Sequence, residues 1–266
     1  MNFKNIYKYI ALNFGDIIFV SLFNLRSFIK RNDTRVSFKK IDNFFLAKSS
    51  KFSRYFSSKE QTYNCFDNGL SDRAFTIGKN YHLDKIDFHH GDTIIDCGAN
   101  IGDLKLYFEV NNLLVEYIGI EPSFDEFKCL EKNVYPSKVY NAALWSSNQK
   151  IDFYLSSSNA DSSIFQPSKF DEITQVDALR ADSIFSKNIR LLKLEAEGAE
   201  FEVLQGCSEI LDLIEYISAD LGQEKGVLEE STLIPVTNFL LKNGFEIHSI
   251  DFKRFTVLFK NNKENF

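Results

Sequence analysis

Short apolar runs alternate with longer mixed segments over about the last two thirds of the chain, which is typical of strands alternating with helices in an α/β fold. The last two runs are separated only by the turn Asp251-Phe-Lys-Arg254, so they predict a terminal hairpin. Gly244 follows the last mixed segment, where a helix commonly ends. The predicted strands are 93–97, 115–121, 138–143, 150–156, 190–195, 214–220, 245–250 and 255–260, and the predicted helices are 103–111, 124–133, 199–211 and 231–243.

The first two of these strands both end in a carboxylate. Asp96 leads through Gly98-Ala-Asn-Ile-Gly102 into a helix, and its two glycines have no Cβ to hold a ligand away from the backbone. The helix start offers unpaired N–H groups and the positive end of its dipole. Glu121 ends the next strand and is placed to accept hydrogen bonds from two ribose hydroxyls. Together these strand ends predict a nucleoside cofactor at the carboxyl edge of a parallel sheet.

The spacing of the glycines bears on which cofactor binds. A dinucleotide site has the pattern G-x-G-x-x-G, which is absent here. Asp96 adds a negative charge that is unfavourable beside a pyrophosphate and favourable beside a cation. S-adenosylmethionine carries a sulfonium and an ammonium group and has no phosphate. The charge pattern therefore favours S-adenosylmethionine over NAD.

Three stretches resemble the FkbM family of S-adenosylmethionine-dependent methyltransferases: D-C-G-A-N-I-G at 96–102, G-I-E-P-S at 119–123 and L-L-K-L-E-A-E-G-A-E-F-E-V-L-Q-G at 191–206. The resemblance covers roughly residues 80–260. It implies a class I methyltransferase fold, an α/β Rossmann-like fold with a mostly parallel seven-stranded sheet and a C-terminal antiparallel hairpin. The chain departs from the family in having Glu195 in place of the usual aspartate, and Leu179-Arg-Ala-Asp182 in place of Thr-Leu-Asp.

The resemblance also implies which residues bind S-adenosylmethionine. The loop after the first strand would hold the methionine end, the second strand end would hold the ribose, and the end of the third strand would lie near the adenine. Each position also has an ordinary structural interpretation, namely a tight turn, a solvated carboxylate, a helix entry or a strand end. The predicted cofactor-binding residues are Asp96, Gly98, Asn100, Gly102, Glu121, Pro122, Ser123, Asn141 and Ala142.

Candidate catalytic residues come from the ends of the fourth and fifth strands. Glu195 and Glu197 are expected at the mouth of the site, and Asp220 is a comparable carboxylate on the acceptor side. Lys193 lies in a strand that is apolar on both faces, so we expect it to pair with a nearby carboxylate. Glu197 also opens a helix, where the dipole alone favours a negative charge. No ligand spacing indicates a metal, and none is expected.

Charge is distributed unevenly along the 266 residues. Residues 1–60 hold 12 Lys/Arg and 4 Asp/Glu (+8), and the remainder holds 19 and 33 (−14), which gives the net −6. An acidic body argues against a nucleic-acid substrate, because binding to phosphates requires a basic face. The cysteines at 65, 97, 129 and 207 show no paired spacing, which fits a reducing cytoplasm.

The basic segment 1–60 is expected to be an extension outside the methyltransferase domain, which occupies 61–266. Its apolar runs fall short of a membrane-spanning helix. One interpretation is a helical cap packed on the domain. The other is peripheral attachment to a membrane surface or a partner enzyme, which rests on the basic residues beside the apolar run. These are Lys30, Arg31, Arg35, Lys39 and Lys40.

The expected function is O-methyl transfer to a hydroxyl of a sugar, glycan precursor or other small molecule, as the resemblance implies. The polar segment 159–168 is expected to form a loop over the site. Two alternatives remain: a nicotinamide-dependent sugar oxidoreductase and a non-catalytic nucleoside-binding scaffold. The missing G-x-G-x-x-G opposes the first, and the intact glycine loop opposes the second.

Overall fold

The computed structural model describes residues 9, 12–29, 36–59, 61–62, 69–156 and 162–263. Lys30, Arg31 and Arg35 of the basic extension, and 159–161 of the expected loop, lie outside these ranges. The helices are α1 (Asp16–Ile29), α2 (Leu70–Asn80), α3 (Asp103–Val110), α4 (Phe124–Val134), α5 (Glu200–Gln205) and α6 (Leu233–Lys242), with short 3-10 turns at Leu83–Lys85, Ala181–Ser183 and Leu211–Leu213.

A seven-stranded sheet forms the centre of the described structure and confirms the predicted class I methyltransferase fold. Its strand order is β14-β15-β11-β10-β4-β5-β6, and all neighbours pair in parallel except β15, which is antiparallel to both β11 and β14. The strands of this sheet are β4 (Thr93–Cys97), β5 (Glu116–Ile120), β6 (Lys138–Tyr140), β10 (Ile189–Leu194), β11 (Ile214–Asp220), β14 (Phe245–Asp251) and β15 (Thr256–Asn261).

Helices cover both faces of the central sheet, and the alternation of side chains along each strand explains why. Ile94 and Leu191 face a buried cluster that includes residues of α2, α3 and α4. Their chain neighbours Ile95 and Leu192 face the opposite cluster, with residues of α5 and α6. A sheet buried on both faces requires apolar residues at successive positions, which is what the sequence runs show.

Two smaller groups of strands lie beside the central sheet. β7 (Ala143–Leu144), β8 (Gln149–Leu155) and β9 (Glu172–Leu179) form a three-stranded sheet, and β12 (Gln223–Lys225) pairs with β13 (Glu230–Ser231). The predicted strand 138–143 is therefore wrong as a single element. It divides because the chain leaves the central sheet after Tyr140 and pairs with β9 from Ala143 onward. β9 was not predicted.

The extension contains a sheet as well as the helix α1, so the interpretation of a helical cap describes only part of it. β1 (Ser37–Ile41), β2 (Phe44–Lys48) and β3 (Ser53–Phe56) form an antiparallel sheet. The turn between β1 and β2 is Asp42-Asn43, with Asp42 at φ 49°, a two-residue hairpin signal that the sequence carried. Phe19 of α1 packs on this sheet within a core cluster that continues to Leu106 of α3. The extension and the α/β domain thus share a core.

The predicted helix 199–211 is shorter in the structure, because α5 ends at Gln205. Gly206 follows it, and a Cβ at that position would lie 2.0 Å from the carbonyl oxygen of Trp145. A side chain larger than that of glycine would therefore not fit against the neighbouring segment at this position.

Candidate active site

A cavity of about 700 Å³ opens where the carboxyl ends of the parallel strands meet. This is the usual position and size of a small-molecule site in such sheets. Most of the predicted site residues line it, whereas Gly102, Asn141 and Asp220 are not among its lining residues. The predicted site residues that line the cavity are Asp96, Gly98, Asn100, Glu121, Pro122, Ser123, Ala142, Glu195 and Glu197.

Asp96 and Lys193 form a buried ion pair at the centre of this edge. They are opposite one another in the register of β4 and β10, and each is no more than 3% exposed. The Lys193 Nζ lies 3.1 Å from Asp96 Oδ1, and Tyr117 donates its hydroxyl hydrogen to Asp96 Oδ2 at 2.5 Å. Burial raises the pKa of Asp96, although Lys193 and Tyr117 oppose this shift. The predicted pairing of Lys193 with a carboxylate is confirmed.

Lys193 also holds the start of the glycine loop and Glu195. Its Nζ donates to the carbonyl oxygens of Cys97 at 3.2 Å and Gly98 at 2.7 Å, and it lies 3.0 Å from Glu195 Oε2. Burial tends to raise the pKa of Glu195, but Lys193 and a hydrogen bond from Tyr81 outweigh burial and lower it. Glu195 therefore stays ionised at neutral pH.

The two glycines of the loop serve the packing of the protein on itself. A Cβ at Gly98 would lie 1.9 Å from the carbonyl oxygen of Glu195, and its φ of +68° disfavours other residues. A Cβ at Gly102 would lie 2.5 Å from Val134 Cγ1 and 2.9 Å from Leu130 Cδ1 of α4. A neighbouring strand end and a neighbouring helix therefore already require glycine at these two positions, independently of the predicted approach of a ligand.

Glu121 extends from the end of β5 into the cavity. Its Oε2 accepts a hydrogen bond from the Asn100 N–H at 2.8 Å, and its Oε1 accepts one from the Ser123 N–H at 2.8 Å. Burial raises the pKa of Glu121 to about 8, with a further contribution from Glu126. These two backbone bonds fix the carboxylate in one orientation.

The residues after β6 differ in role. The Asn141 Nδ2 donates to the carbonyl oxygens of Glu121 at 2.9 Å and Pro122 at 3.0 Å, so its side chain supports the backbone behind the site. Ala142 lies on the cavity wall. It belongs to an apolar section of that wall with Ile120, Ala143, Leu144 and Phe153.

Glu197 lies on the cavity wall at the start of the turn before α5. Its φ of 48° is in the left-handed region, and its carbonyl oxygen accepts a hydrogen bond from Ser163 Oγ at 2.8 Å. Glu200, three residues on, is 1% exposed and has a structural role. Its carboxylate accepts hydrogen bonds from the N–H groups of Ala196 and Gly198 and from Thr232 Oγ1.

Asp220 ends β11 behind the cavity wall and contacts it through Arg254. The Arg254 Nη2 lies 3.1 Å from Asp220 Oδ2, and Arg254 itself lines the cavity from the turn between β14 and β15. Burial and the nearby Glu195 raise the pKa of Asp220, against the effect of Arg254. Burial and the nearby Asp220 raise the pKa of Glu224, a residue outside the predicted site, to about 8.

The end of the extension and the first residue of the domain supply one wall of the cavity, which the sequence did not predict. Ser57 and Ser58 of the extension and Gln61 of the domain line it. The Gln61 Nε2 donates to Asn100 Oδ1 at 2.6 Å, and Ser57 Oγ donates to Glu126 Oε1 at 2.7 Å. These residues lie far from the glycine motif in the chain, so only the shared core of extension and domain brings them there.

The comparison with protein families identifies the domain. The sequence matches the methyltransferase FkbM domain over residues 96–247, more than half of the chain. The chain belongs to the FkbM methyltransferase family. This confirms the resemblance carried by the three motifs. None of the curated proteins matches the chain.

Three solved structures are similar to parts of this FkbM family member at low sequence identity. FkbM methyltransferase from Methylobacillus flagellatus KT is 16% identical to this chain, with a TM-score of 0.46. The aligned region covers 75% of this chain and 57% of that protein, so the present chain spans little more than half of that protein's length. Precorrin-6y C5,15-methyltransferase from Geobacter metallireducens GS-15 has 10% identity and a TM-score of 0.40, covering 71% and 85%. M. capricolum TrmK, solved with S-adenosyl-homocysteine, has 10% identity and a TM-score of 0.39, covering 71% and 69%.

Among the residues that the structure describes, no group of three or more His, Cys, Asp or Glu side chains is arranged to hold a metal ion. Cys97, Cys129 and Cys207 are free thiols buried in the core.

Proposed function

We propose that this chain is an S-adenosylmethionine-dependent O-methyltransferase that acts on a hydroxyl of a sugar or glycan precursor. The observation that carries the donor part of the proposal is the charge of the cavity wall, whereas the hydroxyl acceptor follows from the resemblance to the FkbM family. The described lining of the cavity includes only three cationic side chains, Arg73, Lys193 and Arg254, against seven carboxylates. The carboxylates are Asp96, Asp103, Glu121, Asp125, Glu126, Glu195 and Glu197. Such a wall suits a donor with a sulfonium and an ammonium group and repels a pyrophosphate.

The donor end of the cavity has groups that fit adenosine. Glu121 is held by two backbone N–H groups and retains lone pairs for the two ribose hydroxyls. The apolar wall section beside Ala142 supplies a surface for the adenine ring. S-adenosylmethionine, when bound, supplies a methyl group activated by its sulfonium. The glycine loop is held in place by Lys193 and would lie against the methionine end of the donor near Asp96.

The acceptor end is assigned to Glu195 and Glu197. Glu195 is ionised and fixed by Lys193, so it can accept a hydrogen bond from the acceptor and orient it. Glu197 is assigned as the base that takes the hydroxyl proton as the methyl–oxygen bond forms, a role that contributes roughly 10²–10⁴ in rate. Asp220 is assigned to positioning, because it contacts the cavity wall through Arg254.

Calorimetry with S-adenosylmethionine, S-adenosylhomocysteine and NADH tests the donor. We expect both adenosine sulfur compounds to bind. Above about pH 8, where Glu121 is ionised, Glu121→Gln should weaken their binding at least about tenfold through the loss of charged hydrogen bonds. Glu116→Gln is the matched control, since Glu116 lies on the same strand at its exposed amino end. Tight binding of NADH with no binding of S-adenosylmethionine would overturn the assignment.

Methyl transfer from labelled donor to purified glycans and sugar nucleotides tests the acceptor. We expect a methyl ether on a hydroxyl oxygen, and a kcat for Glu197→Gln that is about 10²–10⁴ lower with unchanged donor affinity. Glu230→Gln, at an exposed position in β13, serves as control. A product labelled on nitrogen or carbon contradicts O-methylation while leaving the donor assignment intact.

A further inference from the structure

Helix α1 has apolar side chains on two opposite faces. Phe19 and Phe23 are at most 2% exposed and pack on the rings of Phe45 and Phe38, with centroids 5.2 and 5.0 Å apart. The opposite face, called the outer arc here, spans about one third of the helix circumference at 100° per residue. It consists of Ile17, Ile18, Leu25, Phe28 and Ile29, which are 83%, 43%, 56%, 65% and 67% exposed.

The single polar residue within this arc has its hydroxyl directed to the backbone. Ser21 Oγ donates to the carbonyl oxygen of Ile17 at 2.8 Å. Back-bonding of this kind satisfies a hydroxyl within its own helix, so the group can enter an apolar environment without a new partner. The outer arc is therefore a continuous apolar surface of a kind that is rare on monomeric proteins unless it contacts something.

Basic residues follow the arc. Residues 26–51 contain eight Lys/Arg and two Asp, a net of +6. Among them, Lys39 and Lys48 are exposed on the small sheet against which α1 packs, and Lys51 is exposed in the connection between β2 and β3. The methyltransferase domain, residues 61–266, carries a net charge of −14. An anionic surface would thus attract the extension and repel the methyltransferase domain, which would set the orientation of the protein.

We propose that the outer arc and its basic flank dock the protein on an anionic membrane surface, with α1 lying in the plane of the interface. At 14 residues α1 is about 21 Å long. In the part of the chain that the structure describes, no helix has the length and apolar character needed to cross a bilayer. Interfacial helices instead bury one apolar face in the headgroup region and place basic residues beside anionic lipids.

Charge distinguishes this occupant from a second copy of the chain. Pairing two outer arcs would bring two net +6 segments together, which is unfavourable at ordinary ionic strength. An anionic lipid surface offers both an apolar layer and the complementary charge. The membrane therefore matches both properties of the surface, whereas a second copy matches only one.

Docking would place the cavity close to the membrane. At the start of α1, Asp16 Oδ1 lies 3.4 Å from the Nζ of Lys59, and that Nζ also donates to the carbonyl oxygen of Phe14 at 2.8 Å. Lys59 lies between Ser58 and Gln61, which line the cavity. The docking proposal does not depend on the chemistry assigned to the cavity.

Co-sedimentation of the full chain with vesicles tests the proposal. We expect binding to phosphatidylcholine vesicles that contain phosphatidylglycerol, weaker binding to phosphatidylcholine alone, and loss of binding as salt is raised. Leu25→Glu with Ile29→Glu should lower the partition coefficient at least about tenfold. Ile234→Glu is the matched control, because Ile234 is an apolar residue of α6 that is 72% exposed.

Thermal unfolding and calorimetry with S-adenosylmethionine separate docking from folding and from donor binding. Because Leu25 and Ile29 are exposed, the double variant should keep its Tm and its donor affinity while losing vesicle binding. Two results would overturn the proposal: salt-independent binding that is equal on both vesicle types, or no binding of the wild type to either vesicle type, with or without a dimer that the double variant abolishes.

Discussion

Replacing Lys193 with methionine tests the central ion pair of the site. The substitution retains most of the side-chain volume, removes the ammonium group and places a sulfur atom where lysine has a methylene. In the structure the Nζ lies 3.1 Å from Asp96 Oδ1 and 3.0 Å from Glu195 Oε2, and it donates to the carbonyl oxygens of Cys97 and Gly98. In the variant, Asp96 therefore stays buried and keeps its hydrogen bond from Tyr117 but loses its ion pair.

The expected loss follows from the burial of each partner. Removing one member of a fully buried pair costs about 3–5 kcal/mol, and Asp96 is 1% exposed. The Glu195 side chain is 28% exposed, so water replaces much of its contact with Lys193 in the variant. The loss of that contact therefore lowers the free energy of unfolding by at most about 1 kcal/mol. We expect the free energy of unfolding to fall by about 3–5 kcal/mol at neutral pH.

The pH dependence of this loss has a definite sign. Burial already raises the pKa of Asp96, and without Lys193 to oppose burial the pKa rises further. The folded variant then keeps a proton on Asp96 that the unfolded chain releases above about pH 4, so its stability falls as pH rises. The difference in the free energy of unfolding between the variant and the wild type should therefore be smaller at about pH 5 than at about pH 8.

Urea unfolding at those two pH values measures the effect, and a double-mutant cycle with Asp96→Asn isolates the pair. The double variant should recover part of the loss, because no buried charge remains unpaired. Lys187→Met is the control: its Nζ lies 3.8 Å from Glu116 with 77% of the side chain exposed, so a change within about 0.5 kcal/mol is expected. A loss below about 1 kcal/mol at both pH values, or additive single variants, would refute the reasoning.

Two further predictions concern the loop and the ribose site. In urea unfolding, Gly98→Ala should lower the free energy of unfolding by much more than Gly91→Ala does. Both glycines have positive φ, which costs alanine about 1–2 kcal/mol. Only at Gly98 does the added Cβ also clash with a backbone oxygen, that of Glu195 at 1.9 Å. Equal losses would contradict this. Burial raises the pKa of Glu121 to about 8, so affinity for S-adenosylmethionine, measured by calorimetry, should rise by up to about tenfold per unit as pH approaches 8 and then level off. Glu121→Gln should remove that dependence, and an affinity that falls over this range would count against the ribose assignment.

The strand ends were predictable because they depend on local pattern alone. A buried parallel strand needs an apolar run, and its carboxyl end is marked by the first polar residue. This placed Asp96 and Glu121 at one edge of the sheet before any contact was known, and the structure has β4 at Thr93–Cys97 as expected. The terminal hairpin followed in the same way from two apolar runs and one short turn.

Elements with few apolar residues were harder to predict. β1 and β9 each bury few side chains, and their polar residues face outward, so their composition resembles that of loops. Their strand character comes from pairing with neighbours, which composition does not record. The Asp42-Asn43 turn was the local signal available for the first of these sheets.

The sequence could not show which contact requires glycine at each position of the motif, because that depends on which segment of the chain packs against the loop. At Gly98 that segment is the end of β10, and at Gly102 it is α4. The same dependence on register explains Lys193. A lysine in an apolar strand must have a partner, but only the pairing of β10 with β4 identifies Asp96 as that partner. Because Lys193 then contacts both Asp96 and the Gly98 carbonyl, the ion pair that stabilises the sheet also fixes the loop at the proposed donor site. Stability and donor binding should therefore be lost together when Lys193 is replaced.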